Sequence, residues 1–330
     1  MASIRRRGAT WQVQVRRRGL RPLTRTFRLK GDAELWARQR EAELDRGDLP
    51  VDHRALRSIK LAHLLERYRD TVTPRKRGAA QERYKLRVLL AHPIAQRSLE
   101  RVSAAEVAAY RDERLLLVSA GTVRRELAVL QHCLKIARAE WGIALPGNPV
   151  GLITMPPPSR GRERRVTPEE LEALMTACRH TRSTWLSALI RLAVQTGMRR
   201  GELLAMRWSD VDLRGRKVKV TRTKNGHPRS VPLTVKATET FTSIEEKGDC
   251  VFPITANAAR LAWERLKRRA GVTNLRFHDL RHEAISRFFE KGLNVPEVAL
   301  ISGHRDVRML LRYTHPMNEG ILRKLDSSPL

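Results

Sequence analysis

Four side chains near the C-terminal end of the chain stand in an order that suits phosphate chemistry. The stretch FHDLRHEAISRFFEKGLNVPEVALISGHRDVRMLLRYTH, residues 277–315, holds His278, Arg281, His304 and Tyr313. A second stretch, QTGMRRGELLAM at 195–206, supplies Arg199 and Glu202. Attack on a phosphodiester needs a nucleophile, positive charge at the non-bridging oxygens, and an acid for the leaving oxygen. A tyrosine hydroxyl can be the first. Guanidinium groups suit the second, because their fork matches phosphate oxygens bidentately and stays charged. No acidic constellation forms a two-metal site, so cations are expected to carry the charge. His278 and Arg281 are three apart, hence on one helical face, where imidazole and guanidinium can meet one phosphate. Glu202, three residues after Arg199, shares its face and can hold that guanidinium. Spacing alone does not select Arg199 over adjacent Arg200, and a lone tyrosine near a helix end is usually a packing residue. A zinc site from His278, His282 and His304 is the rival reading. The chain lacks His-Glu-x-x-His, and Arg276, Arg281 and Arg305 would oppose a dication. No metal or cofactor is therefore expected, and His282 is expected to pack behind the site.

The full order, Arg199, Lys224, His278-x-x-Arg281, Gly303-His304 and Tyr313, resembles the tyrosine recombinase, or phage integrase, family of site-specific DNA recombinases. The resemblance implies that Arg199 is the first catalytic arginine, supported by Glu202. It makes Lys224, beside the Asn225-Gly226 turn, the catalytic lysine, with Lys217 and Lys219 as competitors on the same hairpin. It makes His278 the acid–base partner, Arg281 the second clamp, His304 a hydrogen-bonding contact to the scissile phosphate, and Tyr313 the nucleophile. A phenol with a pKa near 10 is a weak nucleophile at neutral pH, and the clustered Arg and Lys are expected to favour phenolate. Two positions depart from the family's common pattern: Ser302 stands where Leu often precedes Gly-His, and Leu310 where Thr is frequent. Both are expected to affect packing more than chemistry. The family's reaction passes through a 3′-phosphotyrosyl bond, a free 5′-hydroxyl and a Holliday junction, without ATP. The implied partners are double-stranded DNA attachment sites, a homotetramer of the chain, and an accessory DNA-bending or directionality protein. ILRKL at 321–325 is expected to pack on a neighbouring copy, with a frayed terminus as the competing reading.

Composition points the same way. A chain of 330 residues suggests two or three domains, and 41% hydrophobic content suffices for packed interiors. The net charge of +30 favours a polyanionic partner. Only 5% of residues are aromatic, which argues against a single-strand binder of the stacking type. No apolar run reaches the roughly 18 residues of a spanning helix, so no membrane partner is expected. The N-terminus has no apolar segment of a secretory signal. Cys133, Cys178 and Cys250, widely spaced and odd in number, suit reduced thiols in a cytoplasm.

The elements that must position the site follow from periodicity. The expected fold class is mostly α with small β elements (α+β) in several domains. In residues 1–50, WQVQVRRRG and LTRTFRLK alternate like strands, and a helix over 31–44 has Asp32 as N-cap and Leu35, Trp36 and Leu44 facing them. This unit resembles an arm-type DNA-binding domain, with Arg5, Arg6, Arg7, Arg16, Arg17 and Arg18 as DNA contacts. Residues 56–148 predict a bundle of about four helices, similar to the family's core-binding domain, with Leu61, Leu64, Leu65 and Tyr68 on one stripe and Val123, Leu127, Leu130, Leu134 and Ala137 on another. Lys85, Arg87 and Arg124 on its outer faces are candidate phosphate contacts. Residues 149–165, rich in Pro, Gly and Arg, read as a basic linker suited to a phosphate backbone. Residues 166–330 form the mixed α/β catalytic domain: Thr167-Pro168-x-Glu170 starts a helix, and VKVTRT and RSVPLT flank the Asn225-Gly226 turn. A type IB topoisomerase, which nicks and reseals, and a DNA-binding regulator of the same fold without catalysis are the alternative functions.

Overall fold

Alternating apolar positions at the N-terminus build a three-stranded antiparallel sheet, β1 (Ala2–Arg7), β2 (Thr10–Val15) and β3 (Leu23–Phe27), in that order. This is seen in a computed structural model that describes residues 2–17, 22–45, 52–159, 161–221 and 228–314. Val13 and Val15 point to one face of β2 and pack against Ala33, Ala37 and Leu44 of helix α1 (Lys30–Asp45). Three details differ from the sequence expectation. Strand β1 was not anticipated. Helix α1 starts at Lys30, so Asp32 lies in its first turn and is not its N-cap. Leu35 is 56% exposed, because the small Ala33 and Ala37 let the helix approach the sheet and turn Leu35 outward.

The chain forms two compact units, Met1–Arg160 and Gly161–Leu330. The first also holds α2 (His53–Ser58), α3 (Leu61–Thr71), α4 (Ala79–Ala91), α5 (Ala104–Leu117) and α6 (Ala120–Ala139). Both expected stripes, from Leu61 to Tyr68 and from Val123 to Ala137, are buried in one apolar cluster. Ser103 caps α5 by accepting from the Glu106 N–H.

The second unit opens with α7 (Pro168–Arg179), whose N-terminus is closed reciprocally by Thr167 and Glu170. Helix α8 (Thr184–Thr196) is apolar almost all round and lies in the middle of the core, packed on α10 (Val235–Thr242) and α12 (Phe277–Glu290). It stops at Gly197, whose φ of +62° an L-residue would adopt only under strain. The short α9 (Arg200–Leu204) follows, then a sheet of β4 (Val211–Asp212), β5 (Lys217–Val220) and β6 (Arg229–Pro232), all antiparallel, with Val220 opposite Arg229. The expected hairpin is thus present, with shorter strands and an added β4. Its Asn225-Gly226 turn lies outside the described residues. Helices α11 (Ala256–Arg269) and α13 (Val295–Ser302) complete the unit. Tyr313 ends a 3₁₀ turn, Leu311–Tyr313.

Within this unit the leading basic segment is tied down. Arg162 chelates both oxygens of Asp279 at 3.0 and 2.9 Å, Arg164 pairs with Glu170, and Arg165 reaches Glu283 at 2.8 Å and Glu290 at 2.5 Å. Carboxylates of the same unit thus hold the charge of these three residues of the expected linker.

Candidate active site

Arg281 sits one turn into α12, its residue only 3% exposed. Its two terminal nitrogens donate to the Gly197 carbonyl at 2.6 Å and the Ser302 carbonyl at 2.7 Å. The ends of α8 and α13 therefore both converge on one guanidinium. Each helix ends in a left-handed glycine, Gly197 and Gly303, and at each end a carbonyl is turned toward that guanidinium. Burial and the nearby Arg199 charge push the Arg281 pKa down to about 9, so it remains charged at neutral pH.

Arg199 stands at the N-terminus of α9. Its backbone N–H donates to Glu202 Oε2 and its side chain to Glu202 Oε1, both at 2.9 Å, and its other terminal nitrogen lies 3.5 Å from the Gly303 carbonyl. The structure thereby separates Arg199 from its neighbour: Arg199, not Arg200, turns toward Glu202 and Gly303. Glu202 is buried. Burial alone would raise its pKa, but hydrogen bonds and charge from Arg229, reinforced by Arg199, hold it at about 2.

His304 follows Gly303 and places Nδ1 2.7 Å from Ser302 Oγ. Burial, then the charges of Arg281 and Arg199, lower its pKa to about 4. His278, on the first turn of α12, stays open to solvent, yet the crowding around it and the Arg281 charge lower its pKa as well. His282 is buried, its ring centroid 5.3 Å from that of His278 and 5.2 Å from that of Tyr313, which is the packing position expected of it. Among the described residues no three His, Cys, Asp or Glu side chains gather as metal ligands.

Tyr313 is 7% exposed, in an apolar cluster with Ile285, Val298 and Leu310. Its ring centroid lies 6.3 Å from that of His304. The expectation that cations lower its pKa is corrected. Burial raises it, and the opposing charges of Arg281 and Arg312 only reduce the rise. Five of the expected residues, Arg199, Glu202, His278, Arg281 and His304, thus form one cluster, with Tyr313 beside His304 and His282. Lys224 lies outside the described residues.

Sequence reasoning missed Arg229. Its Nε donates to the Ile301 carbonyl at 2.8 Å and its terminal nitrogens to both Glu202 oxygens at 3.0 and 2.7 Å. The signal was present: on β6, Arg229 shares the inward face with buried Val231, and an arginine at an inward strand position calls for a buried anion. Ser302, noted only as a departure, is fully buried against His304.

The candidate DNA contacts of the first unit are on its surface to differing degrees. Arg5, Arg6 and Arg7 are exposed on β1, with Arg6 facing opposite to the other two. Arg16 donates to Gln14 and Arg17 pairs with Asp45. Arg18 lies outside the described residues. On α4, Arg87 is exposed and Lys85 half-buried. Arg124 is half-buried and donates to the Pro156 carbonyl at 2.5 Å.

The model of the phage integrase family matches residues 164–319. A shufflon-specific DNA recombinase from Escherichia coli is 41% identical over 82% of this chain and 73% of its own length. The chain belongs to the phage integrase family. A putative integrase/recombinase from Haemophilus influenzae is 33% identical over 98% of this chain and 90% of that protein. This phage integrase family member also shares its fold with a lambda integrase tetramer solved on a Holliday junction, at a TM-score of 0.68 and 22% identity over 96% of both chains. The integrase fold, mostly helical with small sheets, is therefore shown, and the chain is a tyrosine-type DNA strand transferase.

Proposed function

We propose that this integrase exchanges DNA strands through Tyr313. The observation that carries the reading is the convergence of Arg199 and Arg281 on the Ser302-Gly303 carbonyls just before His304, with the Tyr313 ring beside His304. Arg199 and Arg281 clamp the non-bridging oxygens of the scissile phosphate, and His304, which takes up a proton as the phosphate binds, adds a hydrogen bond. The Tyr313 oxygen bonds to phosphorus as the bond to the 5′ oxygen breaks. The phenol proton leaves to His278, and Lys224 protonates the departing oxygen. The 5′-hydroxyl of a partner duplex then attacks the phosphotyrosine, which frees the phenol and reseals the strand. The energy of the broken bond is kept in the phosphotyrosyl link.

In this reading residues 1–50 are the arm-type DNA-binding domain, 56–148 the core-binding domain, and 166–330 the catalytic domain. Four copies act on two attachment sites, with an accessory DNA-bending or directionality protein as a further partner, in the cytoplasm where DNA lies. The test is a nicked suicide duplex carrying attachment DNA, run on a denaturing gel. The wild-type chain should give a slow covalent band, and Tyr313→Phe should lose it while binding DNA as before. A band that persists in Tyr313→Phe reassigns the nucleophile.

A further inference from the structure

The geometry points to Arg229 as a positioning residue that neutralises Glu202 so that Arg199 keeps its charge for phosphate. The inference rests on the phosphate-clamp reading above and adds a residue to it.

Glu202 is a buried carboxylate beside the arginine that must meet an anion. Alone, the pair would be nearly neutral, and Arg199 would spend its charge on its own neighbour. Arg229 changes this. It grips both Glu202 oxygens end-on, at 3.0 and 2.7 Å, whereas the Arg199 side chain touches only Oε1, at 2.9 Å. A two-point guanidinium–carboxylate pair is the stronger of the two contacts. The Arg229 and Glu202 side chains are 7% and 3% exposed, while that of Arg199 is 24% exposed, so the inner pair is shielded and the outer cation faces the open side. Two guanidiniums, of Arg199 and Arg229, contact this one carboxylate, and a third, of Arg281, feels its charge. Removing Arg229 would strip the cluster of one of its two uncompensated positive charges.

Arg229 also ties three elements together. Its Nε holds the Ile301 carbonyl near the end of α13, and its side chain lies against Gly303, where an added Cβ would meet it at 3.1 Å. Gly303 both turns the chain toward His304 and leaves room for Arg229. Strand β6 is thereby fixed to α9 and to the loop that presents His304.

The test uses the full-length chain and inorganic sulfate as the anion probe. Binding is measured calorimetrically at constant ionic strength, and the component lost in Arg199→Ala is taken as the clamp. Suicide-duplex cleavage is followed on the same variants, and thermal melts check folding. Arg229→Gln should weaken clamp binding at least tenfold and slow cleavage. Arg229→Lys should fall between. The decisive variant is the double one: Arg229→Gln with Glu202→Gln removes the uncompensated carboxylate and should bring sulfate affinity back to within threefold of wild type. A merely structural Arg229 would not be rescued in this way. Unchanged affinity in Arg229→Gln, or no recovery in the double variant, overturns the proposal. Absence of any Arg199-dependent sulfate binding in the wild type overturns the clamp reading together with it. Clamp binding with the expected pattern but no covalent band leaves Arg229 as inferred and overturns Tyr313 chemistry alone.

Discussion

Ser302 Oγ lies 2.7 Å from His304 Nδ1 and 2.6 Å from the Val298 carbonyl oxygen. A serine hydroxyl has one hydrogen, and a carbonyl can only accept. The hydrogen is therefore spent on Val298, and Nδ1 must carry the proton that joins the ring to Ser302. That fixes the tautomer: Nε2 of the neutral ring is bare, and becomes a donor only when the ring is protonated.

Ser302→Ala should release this constraint. We expect cleavage to fall about tenfold, as when a supporting hydrogen bond to an active-site histidine is removed, with a stability loss of about 1 kcal/mol for the freed polar groups. The check is single-turnover cleavage against pH. Removing the serine should shift the histidine-dependent limb of the profile, whereas a packing defect would lower the rate equally at all pH values.

The same geometry couples anion binding to proton uptake. Burial and two guanidiniums keep His304 near a pKa of about 4, hence neutral at pH 7 before an anion binds. A bound anion opposes those guanidiniums and raises the pKa. A pKa that rises on binding means that a proton is taken up, so affinity must increase as pH falls from 7 toward 5, by up to about tenfold per unit for one linked proton. Sulfate titrations in buffers of different ionisation enthalpy measure this uptake directly. His304→Gln should remove most of it and leave only the share of His278.

Acid stability follows from the buried groups. His282 and His304 have folded pKa values near 4 against about 6.5 unfolded. Lowered histidine values mean that the unfolded chain binds protons first, so stability is lost as pH falls from 6.5 toward 4. Glu202, at about 2, contributes stability above its unfolded pKa that is lost as pH drops from about 4.5 to 2. Denaturant melts from pH 7 to 4 should show the histidine slope, and His282→Gln should flatten it by about 2 kcal/mol over that range, discounted from the full shift for partial solvation.

Arg162→Ala should strand Asp279, which is 1% exposed and also accepts the Arg276 N–H at the start of α12. An unpaired buried carboxylate costs about 3 kcal/mol. Because α12 carries His278 and Arg281, cleavage should fall with stability. Asp279→Asn in the Arg162→Ala background should recover most of the melting temperature. A melting temperature unchanged by Arg162→Ala would mean that the pair adds nothing to α12.

Much of the architecture was legible because its causes are local. The helical stripes of α3 and α6 and the Thr167–Glu170 box each depend on residues within a few turns. Arg199, Glu202, His278, Arg281, His304 and Tyr313 were found through their order along the chain. What escaped depends on long-range neighbours. The role of Arg229 requires a strand, a helix start and a helix end to meet over 72 residues of separation from Ile301. The raised Tyr313 pKa depends on how deeply an apolar cluster encloses the phenol, which spacing does not encode. Leu35 turned outward because the neighbouring alanines let the sheet come close.

The internal pairing of Arg162, Arg164 and Arg165 bears on how tightly the chain grips its polymer in salt. Only a cation that neutralises a phosphate displaces condensed counterions, and each such contact adds about 0.9 to the slope of log affinity against log salt. Guanidiniums already satisfied by Asp279, Glu170 and Glu283 displace none, so these three arginines add nothing to the ionic-strength sensitivity of the protein's hold on a duplex.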